Sequence, residues 1–488
     1  MKHARRIAAV LFLLLLAAAV TGWLYLRSDA FRESLRQRIV AEVERTTGGR
    51  ATLGRFDFDW TSNRVSLRDF TLRGKEPAEA PPLLRLAQAD IALSVISYVQ
   101  LNARLRAVRI DGLEVNLITM PDGSTNLPGP KQPSNRNPVE QFLKLAIAQL
   151  DVHRGTLSWN FQKYPLEIKA EDLEIDLRHQ TRPAIAYGGP VKAKRVSLAG
   201  FGLRDARFDL DANIGLEKDR VAIDRIRITK GRTIAWGQGA LTGWQELAFS
   251  ADVNLEGTAA DLVPMFALPL PPQGSVNAKG RVEYRANDWR IDAEAEGQGW
   301  SVQRGPVAWS RLAWSGHVLY EKQVATVNRL RLDLPAGVFR GAGETDFRKY
   351  SVHGTVGGLQ ITELQRYFGA EQVPWQGFVS GPIRLEGEGA NADLHAHLTV
   401  SPNDSERALE GEIEASYSTR TGIATIDRAQ LATAVTQFEA SGASNAQLNV
   451  KLTTSNLRDI PYADRLPLKL VEDQGRVRFE GIVTGGLA

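Results

Sequence analysis

Apolar and polar residues alternate with a period of two along most of this 488-residue chain. In Phe208–Leu216 and Val276–Tyr284, every second residue is apolar or glycine, and most residues between them are charged or amide side chains. Successive side chains of a β-strand point to opposite faces, so each segment predicts a strand with one apolar and one charged face. Many such strands joined by turns predict a mainly β fold, built as a meandering antiparallel sheet.

In two strands the apolar set changes parity midway. In Arg64–Arg73 it moves from Val65 and Leu67 to Phe70 and Leu72, and Val221–Ile228 changes in the same way. A shift of one residue exchanges the two faces of a strand. A β-bulge in each strand is therefore expected to keep one face apolar throughout.

Helices are expected in few places. Phe31–Thr47 has an apolar stripe at every fourth residue, with Ser28 or Asp29 as the cap and Gly48-Gly49 as the end. Pro121–Asn137 reads as a surface linker, and Val139–Leu150 after it has apolar residues at helical spacing. That helix is expected to pack on one end or side of the sheet. Short helical turns are predicted near three further residues: Leu262, Leu364 and Ile460.

Ile7–Leu26 is an uncharged apolar run, preceded by Lys2, Arg5 and Arg6. About 20 helical residues span the roughly 30 Å hydrocarbon core of a bilayer, so the run predicts a transmembrane anchor. A cleaved secretory signal is the alternative, because Ala17–Ala19 fits a cleavage site. Both interpretations place the rest of the chain outside the cytoplasm.

Composition narrows the function classes. The chain has no cysteine, which excludes disulfides and thiolate metal sites, and its acidic and basic residues are interleaved rather than gathered into a nucleic-acid-binding stripe. His395 and His397 share a strand face, which favours solvated side chains over a metal site. Because no catalytic constellation or dinucleotide motif stands out, we predict no enzyme activity, no cofactor and no metal.

The second half contains a repeat. Segments that start at Phe249, Tyr350 and Leu448 each combine a strand, a short helical turn, a Pro-apolar stretch and a Gly-led strand. Their spacing of roughly 100 residues suits a multi-strand unit added serially. The third copy stops soon after its second strand, which predicts a free sheet edge for a partner or for further chain.

Several N-terminal segments resemble one family. After the apolar run and the first helix come Gly48–Gly74, Leu83–Leu127 and Leu150–Asn160, in which Ile110–Val115 leads to a D-G-x-x-N motif, Asp122–Asn126. This order resembles the bacterial AsmA-like envelope proteins, which include the TamB-type factors. The resemblance implies a single-pass inner-membrane protein with its bulk in the periplasm. It also implies an elongated, curved sheet with an apolar groove for lipid.

The predicted organisation has five parts. In chain order these are a cytoplasmic tip and anchor (1–27), an amphipathic helix with an AsmA-like β region (28–120), a Pro-rich linker and helix (121–150), a β region (151–248) and the repeats (249–488).

The apolar strand faces are the candidate site. An open trough would suit acyl chains, whereas a closed sandwich would hide the same residues, and alternation alone allows both. The resemblance favours phospholipid binding or conduction between membranes, for outer-membrane lipid homeostasis. The alternative is a scaffold that assists outer-membrane protein assembly by β-augmentation, with an outer-membrane or periplasmic partner at the free edge. The residues predicted to line the groove are Phe58, Trp60, Leu93, Val95, Val115, Leu117, Val282, Tyr284, Leu330 and Leu332.

Overall fold

The structure is a computed structural model. It describes residues 28–484, apart from residues 60, 94–104, 130–142, 144–146, 163–165, 182–185, 201–202, 244–247, 267–272, 286–287, 305–306, 335, 368–373 and 461–475. Over these residues, no helix combines the length and apolar character that a membrane crossing requires. The predicted anchor, Ile7–Leu26, lies outside the described residues.

Over the described residues, the chain is mainly β, as predicted, with 24 strands and few helices. The strands are β1 (Arg50–Asp59), β2 (Arg64–Arg73), β3 (Leu84–Leu93), β4 (Leu105–Thr119), β5 (Gln149–Phe161), β6 (Leu166–Gln180), β7 (Ala186–Gly200), β8 (Leu203–Leu216), β9 (Arg220–Lys230), β10 (Thr233–Thr242), β11 (Ala248–Thr258), β12 (Ser275–Arg285), β13 (Asp288–Arg304), β14 (Val307–Glu321), β15 (Val324–Leu334), β16 (Gly337–Thr345), β17 (Lys349–Gln360), β18 (Phe378–Glu388), β19 (Asn391–Ser401), β20 (Glu410–Ser418), β21 (Ile423–Ala432), β22 (Thr436–Ala443), β23 (Gln447–Thr454) and β24 (Val477–Thr484). The helices are α1 (Asp29–Thr47), α2 (Ala259–Phe266) and α3 (Ile361–Tyr367), with a 3₁₀ turn at Leu457–Asp459.

The chain divides into two compact units. The first comprises Met1–Lys230, Trp236–Gln245 and Met265–Ala267, and the second comprises Gly231–Ala235, Glu246–Pro264 and Leu268–Ala488. In each unit, strands that follow one another in sequence are hydrogen-bonded neighbours. The five-part organisation drawn from the sequence stays a prediction.

Helix α1 covers the outer edge of β1. Ser28 caps the helix by accepting a hydrogen bond from the Phe31 N–H, and Gly48 ends it at φ 76°, both as predicted. The Arg36 guanidinium donates to the carbonyl of Leu53 at 2.7 Å, and the Ala51 N–H donates to the carboxylate of Glu44 at 2.9 Å. Helix side chains thus satisfy backbone groups that an edge strand would otherwise expose.

One of the two predicted bulges is correct. In β9, Arg225 lies opposite Asn213 while Ile223 lies opposite Ile214, so Asp224 is the extra residue. The prediction for β2 is wrong, since the register with β1 is the same on both sides of Asp69.

The strands on either side of β2 exchange their apolar and polar faces at the same point along the sheet as β2 does. A Cβ at Gly54 of β1 would lie 3.0 Å from the Cβ of Asp69, and a Cβ at Gly112 of β4 would lie 3.0 Å from that of Ala87 on β3. Asp69 and Gly112 have left-handed backbones, with φ of 53° and 66°. Because adjacent strands switch faces together, no extra residue is needed.

The segment between β4 and β5 departs from the predicted meander. The two strands are parallel, so the chain crosses from one end of the sheet to the other before β5 begins. The predicted helix Val139–Leu150 is wrong at its end, because Gln149 and Leu150 already belong to β5. Leu150 pairs with Val108 and Leu177 in the sheet, and this pairing overrides the helical spacing. Most of the predicted helix lies outside the described residues, although Leu143 is helical.

The predicted surface linker is exposed at residues 121–124 but contains a buried residue. Asn126, the last residue of the D-G-x-x-N segment, has no exposed area. Its side chain donates to the Asn116 carbonyl at 2.8 Å and accepts from the Ile118 N–H at 2.9 Å, which fastens the loop after β4 to that strand. Asp122 turns the chain before it by accepting from the Ser124 N–H, and Gly123 has a φ of 85°.

Asn126→Ala is expected to lower the free energy of unfolding by about 1–3 kcal/mol, since it leaves the Ile118 N–H and the Asn116 carbonyl buried without this partner. Urea unfolding measures the change. Asn160→Ala, at an exposed position of β5 in the same unit, is the matched control. Equal losses in the two variants would contradict the fastening role.

The second unit repeats every six strands. Strands β11 and β17 lead into α2 and α3, and β23 leads into the 3₁₀ turn, in agreement with the predicted helical turns and roughly 100-residue spacing. These helical segments lie at one end of the strands, which we call the helix margin. The tight connections between β12 and β13, β14 and β15, β16 and β17, β18 and β19, and β20 and β21 lie at the other end, the turn margin.

Asp261 fastens α2 to the sheet. Its carboxylate accepts hydrogen bonds from the N–H groups of Arg232 and Thr233 and from the hydroxyls of Thr233 and Thr258, at 2.9–3.0 Å. Asp459 accepts in the same way from the Thr433 hydroxyl beside the 3₁₀ turn. Although burial raises the pKa of Asp261, these hydrogen bonds outweigh it and lower the pKa below its ordinary value.

A carboxyl with a depressed pKa in the folded state stabilises the fold above its unfolded pKa of about 4, and this contribution is lost as the pH falls through the folded value. Asp261→Asn is therefore expected to lower the Tm at pH 7, with the difference from the parent shrinking below about pH 4. Thermal unfolding between pH 7 and 3 measures it. Asp252→Asn, at an exposed position of β11, is the control. A difference that stays constant with pH would contradict the role of the ionised carboxylate.

Candidate functional site

Cross-strand pairing makes one continuous apolar face in the second unit. Val282 of β12 lies between Ala251 and Ile291, and Leu332 of β15 lies between Trp314 and Phe339. Residues paired directly across strands share a face. The row that contains Leu332 runs on from Phe339 through the apolar residues Val356, Leu398, Ile413, Ala429, Ala440 and Val450.

The first unit has an apolar face of its own. Phe58 pairs with Val65, which pairs with Ile91 on β3, and Ile91 pairs with Val108 on β4. Val115 and Leu117 continue this face into β5, where they lie opposite Leu157 and Trp159. Trp159 and Phe161 pack with ring centroids 4.8 Å apart, an aromatic pair that the sequence analysis did not single out.

The described candidates are half-buried. Each unit brings its own candidates to one face, and the described ones are Phe58, Leu93, Val115, Leu117, Val282, Tyr284, Leu330 and Leu332. These side chains therefore keep part of their apolar surface exposed between the neighbouring strands. Trp60 and Val95 lie outside the described residues.

Two segments do cover parts of these faces. In the first unit, Leu143 and Ile147 are buried against Val108, Leu177 and Tyr187. In the second unit, Ile361 and Leu364 of α3 pack on a cluster of buried residues formed by Val379, Val400 and Leu409. Each cover lies over strand ends. In the row of Leu332, Phe339 and Val356 are buried, whereas Leu332 itself is half-buried.

The opposite face of the second unit is charged and internally paired. Arg281 contacts Glu283 at 2.9 Å, Arg331 contacts Asp333 at 2.8 Å, and the His317 ring lies 2.8 Å from Asp292. The hydrogen bond from His317 lowers the pKa of Asp292 below its ordinary value. Exposed ion pairs of this kind contribute little to stability and keep this face solvated.

A shallow depression of about 750 Å³ lies on this charged face, around Gly280 and residues of β11–β14. Its acids and bases pair with one another, so they do not converge on a ligand of one charge. His395 and His397 are exposed on the charged side of β19. Over the part of the chain that the structure describes, no group of three or more potential metal ligands occurs.

Comparison with known proteins gives one match. Residues 1–200 match the model of the AsmA family. No curated protein and no solved structure matches the chain.

Proposed function

We propose that the chain, whose residues 1–200 match the model of the AsmA family, binds phospholipid acyl chains along its apolar strand faces and conducts them between the membranes of a bacterial envelope. In this proposal Ile7–Leu26 anchors the chain in the inner membrane, and the β units lie in the periplasm. The role is non-catalytic and serves outer-membrane lipid homeostasis.

One observation carries the proposal: the apolar faces are continuous across the strands of each unit, and the described candidate residues on them are only half-buried. A face of this kind leaves apolar surface in water that an acyl chain could cover. Each buried CH₂ group contributes about 0.8 kcal/mol, so even part of an acyl chain would bind appreciably. Soluble monomers rarely expose an apolar face of this extent. Such a face usually marks a binding site.

Photocrosslinking tests the proposal. A photoreactive residue at Leu93, Val282 or Leu332 is expected to capture phospholipid, whereas the same residue at Arg281 or Arg331 is expected to capture none. The two arginines are exposed positions of β12 and β15, on the opposite face from Val282 and Leu332. Capture of lipid at all five positions, or at none, would count against the apolar face as the lipid site.

Assembly of outer-membrane proteins by β-augmentation is the second candidate function, and β24 supports it. Among the described strands, β24 pairs with β23 alone, and Phe479 and Ile482 are about half exposed, at 49% and 55%. An open strand edge with apolar side chains can accept a further strand. A photoreactive residue at Ile482 that captures an outer-membrane protein, with no lipid captured at Val282, would favour this function.

A further inference from the structure

The edge strands β1 and β24 are protected differently. Helix α1 covers β1, and its Arg36 and Glu44 side chains bond to the backbone of that strand. Strand β24 pairs with β23 along one side, and no described strand pairs with its other side. Proteins usually protect such an edge with a cover, a proline or a bulge. Because β24 contains no proline and its register with β23 is unbroken, its backbone is ready to accept a further strand.

Apolar side chains of β24 are exposed on both faces of the strand. Val477 is 40% exposed, Phe479 is 49% exposed and Ile482 is 55% exposed. Phe479 pairs with Leu452 on the apolar face of the second unit, Val477 shares that face, and Ile482 lies on the opposite face. A partner strand at this edge would therefore remove apolar surface from water on both faces.

The charges of β24 are arranged symmetrically about Phe479. Arg478 precedes it, Glu480 follows it, and both side chains lie on the charged face. They contact each other at 3.2 Å, yet they are 63% and 67% exposed, so each has room for a second partner of opposite charge. In two antiparallel copies of the strand centred on Phe479, Arg478 of each copy lies opposite Glu480 of the other.

Twofold symmetry leaves few other registers. The axis between two antiparallel copies passes beside a residue that pairs with its own copy, because directly opposite residues share a face. An axis at Arg478 or at Glu480 would oppose like charges, and an axis at Gly481 would place Glu480 opposite Ile482. Of these four registers, the one centred on Phe479 alone pairs both charges, and it also brings the two phenyl rings together.

We propose that the open edge of β24 binds a second copy of this chain, in an antiparallel twofold pair centred on Phe479. The occupant is a second copy because Val477–Gly481 complements itself: valine meets glycine, arginine meets glutamate, and phenylalanine meets phenylalanine. The axis is perpendicular to the sheet, so the apolar faces of the two copies lie on the same side and continue across the junction. The pair forms whether or not these faces carry lipid.

Single cysteines test the register, since the chain has none of its own. In the proposed pair the two Phe479 Cα atoms lie about 5 Å apart, so full-length Phe479→Cys is expected to form a disulfide-linked dimer under mild oxidation. Val477 lies opposite Gly481 of the other copy, which separates the two Val477 residues by at least about 13 Å at roughly 3.3 Å per residue. Val477→Cys is therefore expected to stay unlinked. Equal linkage in the two variants, or none in Phe479→Cys, would overturn the register.

Charge reversal tests the pair without cysteines. Arg478→Glu places a carboxylate opposite Glu480 twice in each dimer, so it is expected to raise the dimer Kd of the full-length chain in detergent at least about tenfold. Combining it with Glu480→Arg restores opposite charges and is expected to restore the Kd. Arg281→Glu, the control, breaks an Arg-x-Glu pair of the same spacing on the inner strand β12 and is expected to leave the Kd unchanged. Sedimentation equilibrium measures all four chains.

Three results would overturn the pair. The first is a parent chain that sediments as a monomer at every concentration. The second is a Kd that is the same in the parent and in both variants of Arg478. The third is capture of a different protein by Phe479→Cys in cells, in place of a second copy, which would assign the edge to a β-augmentation partner.

Discussion

Replacing Leu332 by aspartate is expected to slow phospholipid transfer between donor and acceptor vesicles by at least about tenfold, with little change in Tm. Leu332 is half-buried between Trp314 and Phe339. An aspartate at this position therefore keeps contact with water when no lipid is bound. An acyl chain that passes this row would bury the carboxylate without a partner. That burial costs several kcal/mol, and 1.4 kcal/mol already corresponds to a factor of ten.

Asn328→Asp is the matched control, because Asn328 is an exposed residue on the charged face of the same strand. It introduces the same side chain, and we expect it to leave both transfer and Tm unchanged. A sharp fall in Tm for Leu332→Asp, together with crosslinks only to protein from Leu93, Val282 and Leu332, would mean that the face is a closed core. A sandwich scaffold would then replace the lipid conduit.

Tyr187→Ala is expected to cost the first unit about 3–5 kcal/mol of unfolding free energy, the usual loss for a large buried aromatic residue. Tyr187 has no exposed area, and its ring packs with Val108, Leu143 and Leu177 where the segment before β5 covers the apolar face. Its hydroxyl accepts a hydrogen bond from the Ile147 N–H at 2.8 Å. The ring and the hydroxyl together hold that segment on the sheet, and urea unfolding measures the loss.

Tyr187→Phe separates the ring from the hydroxyl. It keeps the packing and removes the acceptor of the buried Ile147 N–H, so we expect a smaller loss of about 1–3 kcal/mol. Burial raises the pKa of the Tyr187 hydroxyl, so its contribution is full below the unfolded pKa of about 10 and is lost as the pH rises through the folded value. Equal losses in the two variants would show that ring packing contributes little.

The strands, and the faces of their side chains, follow from the sequence alone. An alternation of apolar and polar residues with a period of two indicates a β-strand with one apolar face, because successive side chains of a strand point to opposite sides. The alternation therefore predicts one face for Val282 and Tyr284, and likewise one face for Leu330 and Leu332, without knowledge of the strand pairing. The cap at Ser28 and the end of α1 at Gly48 also follow from local signals, since capping and turn chemistry act over a few residues. The repeat of roughly 100 residues follows from the recurring order of its segments, whereas its six strands are known only from the structure.

Features that depend on contacts between distant residues could not be predicted from the sequence. Leu150 fits a helical pattern equally well, and only its pairing with Val108 and Leu177 makes it the second residue of a strand. The parity change at Asp69 looked like a bulge because a single strand does not reveal that Gly54 and Ala87 lie beside it. Asn126 lay in a stretch rich in proline and polar residues, and its burial depends on the backbone groups of Asn116 and Ile118.

Four tyrosines at strand ends of the second unit illustrate the same division. Each tyrosine is recognisable in the sequence as the last apolar residue before a turn, or the first one after it. That Tyr284, Tyr320, Tyr350 and Tyr417 all belong to one margin is decided by the registers of the strands between them. Local alternation determines which face a side chain occupies, whereas only hydrogen bonding between strands determines which distant side chains line up along that face.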